Sequence, residues 1–186
     1  MNNAKIIIPL FIVIALIQLY IPSSMIMSRE EVLNEGKEFR FEAAPVDPAD
    51  PFRGRYLTLR CKENSFPISG KDKWQRGEQI FVILEKNTDG FATIKDVSKD
   101  KPHSSEDYVI AKVRWVANDV NRRITITYPF DRYYMEESKA ILAEKKYLKA
   151  LEDKNTTTYL TVQIKDGEAV LKAVMINGQP IETLLE

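Results

Sequence analysis

Residues 159–176, YLTVQIKDGEAVLKAVMI, contain two segments of strand character joined by an Asp-Gly pair. The first segment ends at Lys165 and the second begins at Ala169. Asp-Gly between two such segments favours a tight turn, because both residues tolerate the positive φ angles that the turn requires. The stretch therefore predicts an antiparallel hairpin and a domain dominated by β-structure.

Strand patterns also fill most of the chain before this hairpin. Residues 79–86 form a continuous apolar run, which is typical of a strand buried on both faces. Residues 123–128 (RITITY) are β-branched or aromatic at most positions, and they give the strongest strand prediction. Together the patterns predict about eight or nine strands. Further predicted strands lie at residues 39–42, 56–61, 91–96 and 108–116.

One helix interrupts the strands. Residues 136–152 are rich in Ala, Glu, Lys and Leu, which are good helix formers. We expect an apolar stripe of Ile141, Leu148 and Leu151, widened by Ala140, Ala143 and Tyr147. The predicted fold class is α+β with β dominant. It consists of an N-terminal transmembrane helix followed by an antiparallel β-sandwich or partly open barrel, and the strand spacing leaves both architectures open.

The N-terminal segment 6–27, IIIPLFIVIALIQLYIPSSMIM, has no charged residue. As a helix it is about 33 Å long, close to the thickness of a bilayer's hydrocarbon core. Pro22 is expected to end or kink this helix near its outer end. Residues 28–35 then fit a short separate helix that Gly36 ends.

These patterns predict three parts of the chain and one location. Lys5 precedes the apolar run, so the positive-inside rule predicts a cytoplasmic tail at 1–5, a transmembrane signal anchor at 6–27 and an extracytoplasmic β-rich domain at 28–186. The expected location is the inner (cytoplasmic) membrane, crossed once with the N-terminus inside. A cleaved signal peptide and, less favoured, a buried core helix are the alternatives.

Composition excludes several classes of function. Lys+Arg and Asp+Glu are both 27, and the resulting zero net charge argues against a general nucleic-acid binder. With one Cys and one His, neither an internal disulfide nor a multi-His metal site can form. Among the common sequence motifs we find none for a catalytic centre, a metal site or a cofactor, and we expect no cofactor.

The least common stretch is 45–59, PVDPADPFRGRYLTL. Its three prolines stiffen the approach to a strand, and residues that precede proline are extended. Asp47 and Asp50 form either a rigid turn or a ligand contact, whereas Arg53 suits an ion pair or a partner carboxylate. With a later Arg/Tyr/Glu stretch, the segment predicts a binding surface, which comprises Asp47, Asp50, Arg53, Gly54, Tyr56, Arg132, Tyr133 and Glu136.

Gly54-Arg55-Tyr56-x-x-Leu59 resembles the motif of the GDYXXLXY family of bacterial membrane-anchored proteins. The lead-in at 47–53, the stretch Arg132-Tyr133-Tyr134-x-Glu136-Glu137, and the Asp-Gly and Asn-Gly turns of the C-terminal hairpin region are also similar to that family. Two positions depart from the motif: Arg55 stands in place of Asp, and Cys61 in place of the last Tyr. The resemblance implies the anchored topology. Members tend to be encoded beside multi-pass membrane proteins, which implies a membrane partner.

The expected function is that of a non-enzymatic, membrane-anchored extracytoplasmic module. Its expected partners are the lipid bilayer, through residues 6–27, and another membrane or envelope protein, for which it is an assembly factor. One alternative is a sensor domain that binds a small molecule or peptide. The other is an envelope enzyme that uses the carboxylates of Asp47, Asp50 and Glu136.

Overall fold

The computed structural model describes residues 4–45, 56–68, 73–103, 105–117 and 122–185, with side chains from Ile7 onward. Within these residues the chain forms two α-helices, eleven strands and a final 3₁₀ turn. The helices are Ala4–Glu35 (α1) and Glu137–Glu152 (α2), and the 3₁₀ turn is Ile181–Leu184. The strands are Lys37–Glu42 (β1), Tyr56–Thr58 (β2), Ser65–Pro67 (β3), Gln79–Lys86 (β4), Ala92–Ser98 (β5), Tyr108–Ala117 (β6), Arg123–Thr127 (β7), Arg132–Tyr134 (β8), Thr158–Lys165 (β9), Glu168–Ile176 (β10) and Gln179–Pro180 (β11).

The predicted hairpin is confirmed as β9 and β10, which pair antiparallel. Asp166 and Gly167 form its turn with φ angles of 50° and 86°, the positive values that a two-residue hairpin turn requires. Gly167 also has no room for a side chain, because a Cβ there would lie 2.5 Å from the Tyr108 ring. The turn therefore packs directly against β6.

The strands form a nearly closed, barrel-like sheet, which answers the choice between sandwich and barrel. One sheet has the order β1-β9-β10-β11 and the other β3-β7-β6-β4-β5. Bridges from Arg40 to Phe91 and from Val109 to Gly167 join the two sheets at two places. A two-stranded ribbon, β2 with β8, lies outside both sheets.

Irregular pairing helps these sheets to curve. The register shifts between Ile83 and Leu84, between Val113 and Trp115, and between Leu171 and Ala173. An extra residue in one strand of a pair increases local twist and bends the strand. We infer that these irregularities bend the two sheets toward one another.

The space enclosed by the sheets is filled by side chains. Alternate residues of each strand point inward, so the apolar positions spaced by two meet in one core. Several are completely buried, and each contributes on the order of 2 kcal/mol by leaving water. The fully buried set includes Phe41, Ile80, Val82, Val109, Ile124, Leu160, Val162 and Val174.

Helix α2 confirms the predicted helix, but its buried face differs from the predicted stripe. Ala140, Ala143, Tyr147 and Ala150 are the buried residues, whereas Ile141 is 60% exposed. Alanine has almost no side chain, so a face of alanines lets the helix backbone approach the strands closely. The prediction that Ile141 belongs to the stripe was wrong because close approach, and not side-chain size, selected the face.

Helix α1 is continuous over 32 residues and does not end at Pro22. Ser23 and Ser24 follow the proline, and their hydroxyls donate to the carbonyls of Leu19 and Ile21. The expected separate helix at 28–35 is thus the end of α1, and Gly36 follows its last residue as predicted. The segment Ile7–Glu35 is long and apolar enough to cross a membrane, and its most apolar window is not buried against the rest of the protein.

Candidate functional site

The structure brings part of the predicted binding surface together on the β2–β8 ribbon. Tyr56 lies on β2, Arg132 and Tyr133 lie on β8, and Glu136 immediately precedes α2. The other members of the predicted surface lie outside the described residues. They are Asp47, Asp50, Arg53 and Gly54.

The ribbon is an antiparallel pair that places distant parts of the chain side by side. Tyr56 is opposite Tyr134, and Thr58 is opposite Arg132. Because alternate residues of a strand share a face, Arg132 and Tyr134 point to the same side. The sequence positions 56 and 134 therefore meet only through the tertiary fold.

The outer face of this ribbon carries one cationic group and two aromatic rings. The Arg132 guanidinium lies 5.1 Å from the centre of the Tyr56 ring. The Tyr56 and Tyr134 rings are 5.5 Å apart and tilted by 54°. Tyr134 is 67% exposed, so its ring remains largely open to solvent. We call Tyr56, Arg132 and Tyr134 the aromatic-arginine face.

Arg132 carries its positive charge at any physiological pH. A side-chain hydrogen bond with Tyr134 is the largest cause that raises its pKa above the ordinary value, and the charges of Tyr56 and Asp131 add to this effect. Its Nε lies 3.9 Å from an Asp131 carboxylate oxygen, at the edge of an ion pair. A guanidinium has five N–H donors, so it can also donate two parallel hydrogen bonds to a carboxylate.

Tyr133 points to the opposite face of the ribbon. It is half-buried, and its hydroxyl donates to a carboxylate oxygen of Glu182 in the final 3₁₀ turn. Burial is the largest cause that raises the pKa of Tyr133. This contact fastens the ribbon to the C-terminal segment, so Tyr133 has a structural role.

Glu136 is the N-cap residue that directly precedes α2, and its side chain makes no capping hydrogen bond. Its backbone carbonyl accepts hydrogen bonds from the amides of Lys139 and Ala140, each at 3.0 Å. The carboxylate is 68% exposed and lies 3.8 Å from the Lys139 ammonium. It is therefore available to a partner at the edge of the aromatic-arginine face.

Cys61 lies in the core, next to the end of β1. Burial raises the pKa of its thiol, so the thiol stays protonated at neutral pH. His103 is exposed in a loop. Among the residues with described side chains, no group of three or more His, Cys, Asp and Glu is placed to hold a metal ion.

A cleft lies beside the β9–β10 turn. This cleft of about 370 Å³ is lined by the end of α1, the start of β6 and the β9–β10 turn. Tyr108 lines it, and the buried Tyr108 hydroxyl has no hydrogen-bond partner in the described part of the chain. Other lining residues include Glu35, Lys37, Lys101, Asp107, Lys165 and Asp166.

Tyr134 lies within the Arg132 to Glu137 segment of the predicted surface, although it was not among the residues singled out by number. Tyr134 follows Arg132 by two positions, which places both on one face of a strand. No comparable signal indicated that β2 would be its partner strand, because 73 residues separate Thr58 from Arg132 and the short segments do not specify their pairing.

Comparison with known proteins bears on the whole chain. The model of the family described as GDYXXLXY protein matches residues 18–174. No curated protein and no solved structure matches the chain. The matched residues extend from the apolar part of α1 to β10 and include the β2–β8 ribbon. The chain therefore belongs to the GDYXXLXY protein family, whose function is uncharacterised.

Proposed function

We propose that this protein is a membrane-anchored extracytoplasmic module that binds another membrane or envelope protein and is not itself an enzyme. Residues 1–5 remain in the cytoplasm, residues 6–27 anchor the chain uncleaved in the inner membrane, and residues 28–186 form the external domain. The length and apolar composition of α1 support the anchor. The continuity of α1 into the domain supports an uncleaved chain.

The observation that carries the binding role is the aromatic-arginine face. Tyrosine and arginine are enriched among the residues that contribute most to protein–protein affinity. Here two tyrosine rings lie beside a charged guanidinium on one face of a short ribbon. A partner that offers a carboxylate and an apolar rim fits this chemistry. In this proposal Asp47, Asp50, Arg53 and Gly54 of the proline-rich segment complete the surface.

Partner capture from native membranes tests this function. Tagged full-length protein is crosslinked in its membrane, purified in mild detergent and analysed by mass spectrometry. We expect one stoichiometric partner, with capture reduced about tenfold or more by Arg132→Ala combined with Tyr134→Ala. The control variant is Lys145→Ala, which changes an exposed lysine on α2. It should capture the partner as fully as the parent does.

Two results would contradict the proposal. One is a protein that purifies without any partner. The other is full capture by a double variant whose melting temperature matches that of the parent. A second double variant, Asp50→Ala with Arg53→Ala, tests separately whether the proline-rich segment belongs to the same surface.

The cleft beside Tyr108 favours a second candidate function, the binding of a small molecule or peptide. Its volume falls in the range of ligand sites, and charged side chains of both signs line it. A thermal-shift screen of full-length protein in detergent tests it. A ligand that stabilises the parent but not Lys101→Ala, which changes an exposed lining residue, supports this candidate, and a screen without any stabilising compound counts against it.

A further inference from the structure

The outer end of α1 is fastened along the outside of the barrel. Val32 is buried at 4% exposure, so this part of the helix packs against the strands and does not project freely. The contacts then follow an order along the helix. Arg29 pairs with Glu168 at 3.0 Å, and Glu31 and Glu35 both pair with Lys165.

These contacts lie at the turn end of the β9–β10 hairpin, where Glu168 and Lys165 are directly opposite each other. Moving away from the apolar run, α1 meets first Glu168 at the start of β10 and then Lys165 at the end of β9. Gly36, after the helix, lies against Gln163 and Ile164. Strand β1 then starts at Lys37, opposite Ile164, and ends at Glu42, opposite Tyr159, so the chain leads from the end of α1 toward the Thr158 end of β9.

The β2–β8 ribbon is attached at the opposite end of β9. The Ala43 amide donates to the carbonyl of Thr158, the first residue of β9, and Ala43 bridges to Cys61. Leu59, which directly follows β2, donates to Asp131, which directly precedes β8.

The C-terminal segment ties the ribbon to the same end. Ile176 of β10 is opposite both Thr158 and Gln179, so the chain returns there before the final 3₁₀ turn. Glu182 in that turn accepts the hydrogen bond of Tyr133. Two independent sets of contacts thus place the ribbon at the Thr158 end of β9.

We propose that α1 and the barrel form one rigid strut that holds the aromatic-arginine face at the membrane-distal end of the protein. The β9–β10 turn and the cleft beside it then face the bilayer. From Lys165 to Thr158 the strand covers about 23 Å, and the end of α1 adds on the order of 10 Å. The face thus lies up to about 30 Å beyond the apolar run.

The strut restricts the kind of partner that can bind the protein. This restriction on the partner rests on the function proposed above. A partner that reaches the aromatic-arginine face must present a folded extracytoplasmic part at that height. Membrane-embedded helices of a partner would meet α1 and the cleft end of the domain instead. We therefore infer that recognition takes place in the aqueous compartment and not inside the bilayer.

Energy transfer to labelled lipid measures the height directly, without any partner. Full-length protein carrying Lys101→Cys, beside the cleft, or Lys154→Cys, just before β9, is labelled with a donor dye and placed in phosphatidylcholine vesicles that contain an acceptor lipid. Both lysines are exposed, and Cys61 is buried, so the parent should take up no dye. We expect lower transfer at position 154, equivalent to about 20 Å of additional height.

Two insertions between Met27 and Ser28 distinguish a rigid strut from a flexible tether. Six Gly/Ser residues should break the helix and reduce the difference in transfer between the two positions. Seven helix-forming residues keep the helix and nearly its rotation. This matched control should raise both positions by about 10 Å and so lower transfer at each of them. It should preserve the difference in height between the two positions.

Equal transfer at the two positions of the parent would overturn the proposal, and so would lower transfer at position 101. An unchanged difference after the Gly/Ser insertion would show that α1 does not set the orientation. If the heights differ as expected but Arg132→Ala keeps full partner capture, the strut stands and the proposed binding surface fails.

Discussion

The two ends of the barrel are built in contrasting ways. At the α1 end, the helix ends so close to β9 that a Cβ on Gly36 would lie 3.1 Å from the Ile164 backbone nitrogen. At the ribbon end, Tyr134 is 67% exposed, and Arg132 lies over the Tyr56 ring with its Nε 3.9 Å from an Asp131 carboxylate oxygen. The first end tolerates little change in shape, whereas the second displays chemistry that a partner can use.

The comparison also separates stability from recognition. Exposed ion pairs such as Arg29–Glu168 add little free energy because water solvates both charges. The burial of Val32 and the fit around Gly36 therefore hold the α1 end, and the ion pairs set its orientation. At the ribbon end, Tyr133 donates a hydrogen bond to Glu182 and helps to fasten the ribbon, while Tyr134 on the outer face is largely exposed.

The largest expected effect is at the α1 end. Gly36→Ala places a methyl group against the Val32 carbonyl, the Ile164 amide and Gln163, and backbone atoms cannot move aside cheaply. We expect a loss of about 3 kcal/mol in the free energy of unfolding. For a chain of this size that lowers the melting temperature by on the order of 10 °C, measured on full-length protein in detergent.

A control glycine lies in the β4–β5 turn. A Cβ at Gly90 would meet nothing within 4 Å, so Gly90→Ala costs only the strain of its φ angle of 82°, about 1–2 kcal/mol. Equal losses at the two glycines would show that the close approach at Gly36 is not what matters there.

A smaller effect sharpens the contrast within the ribbon itself. Tyr133→Phe removes a hydrogen bond from a half-buried hydroxyl to Glu182, and we expect it to cost about 1 kcal/mol of stability. Tyr134→Phe, at the exposed neighbour, should change stability by less than about 0.5 kcal/mol. Chemical denaturation of both variants provides the measurement, and a larger loss for Tyr134→Phe would reverse the assigned roles.

The smallest expected effect concerns the turn between α2 and β9. The Asp153 carboxylate accepts from the Asn155 amide and from the Thr156 hydroxyl, and these two bonds lower the pKa of Asp153 below 3.8. A carboxyl whose pKa is lower in the folded state contributes stability above the unfolded value and loses it as the pH falls through the folded value.

Asp153→Asn should therefore destabilise the protein at neutral pH, and this effect should decline as the pH falls below about 3.8 toward the lower pKa of the folded state. Melting temperatures of parent and variant between pH 7 and pH 3 give this dependence. A difference that stays constant over the whole range would mean that the charge of Asp153 does not stabilise the turn.

Much of the fold followed from local patterns. The Asp-Gly turn, the strands of the barrel and helix α2 were predictable because backbone preference and apolar periodicity act over a few residues. The helix α2 face was predicted in part, since Ala140, Ala143 and Tyr147 are buried as expected whereas Ile141 is 60% exposed. Pro22 likewise did not end α1, although an isolated sequence rule favoured that outcome.

For the candidate site, the sequence supplied the residues but not their arrangement. It singled out Tyr56, Arg132, Tyr133 and Glu136 from two motifs, because clustered prolines, arginines and tyrosines are uncommon in a plain strand. It could not show that Tyr56 faces Tyr134, or that Tyr133 turns inward to Glu182. Those contacts depend on strand pairing between short segments, which no local pattern specifies.

The sequence by itself determined an apolar N-terminal helix, a β-rich domain and the family to which the chain belongs, because composition, periodicity and motifs are local properties. Only the tertiary structure decided that α1 continues past Pro22 onto β9 and β10, and that the ribbon sits at the other end of β9. Both are long-range contacts, whose free energy depends on shapes that exist only after the chain has folded.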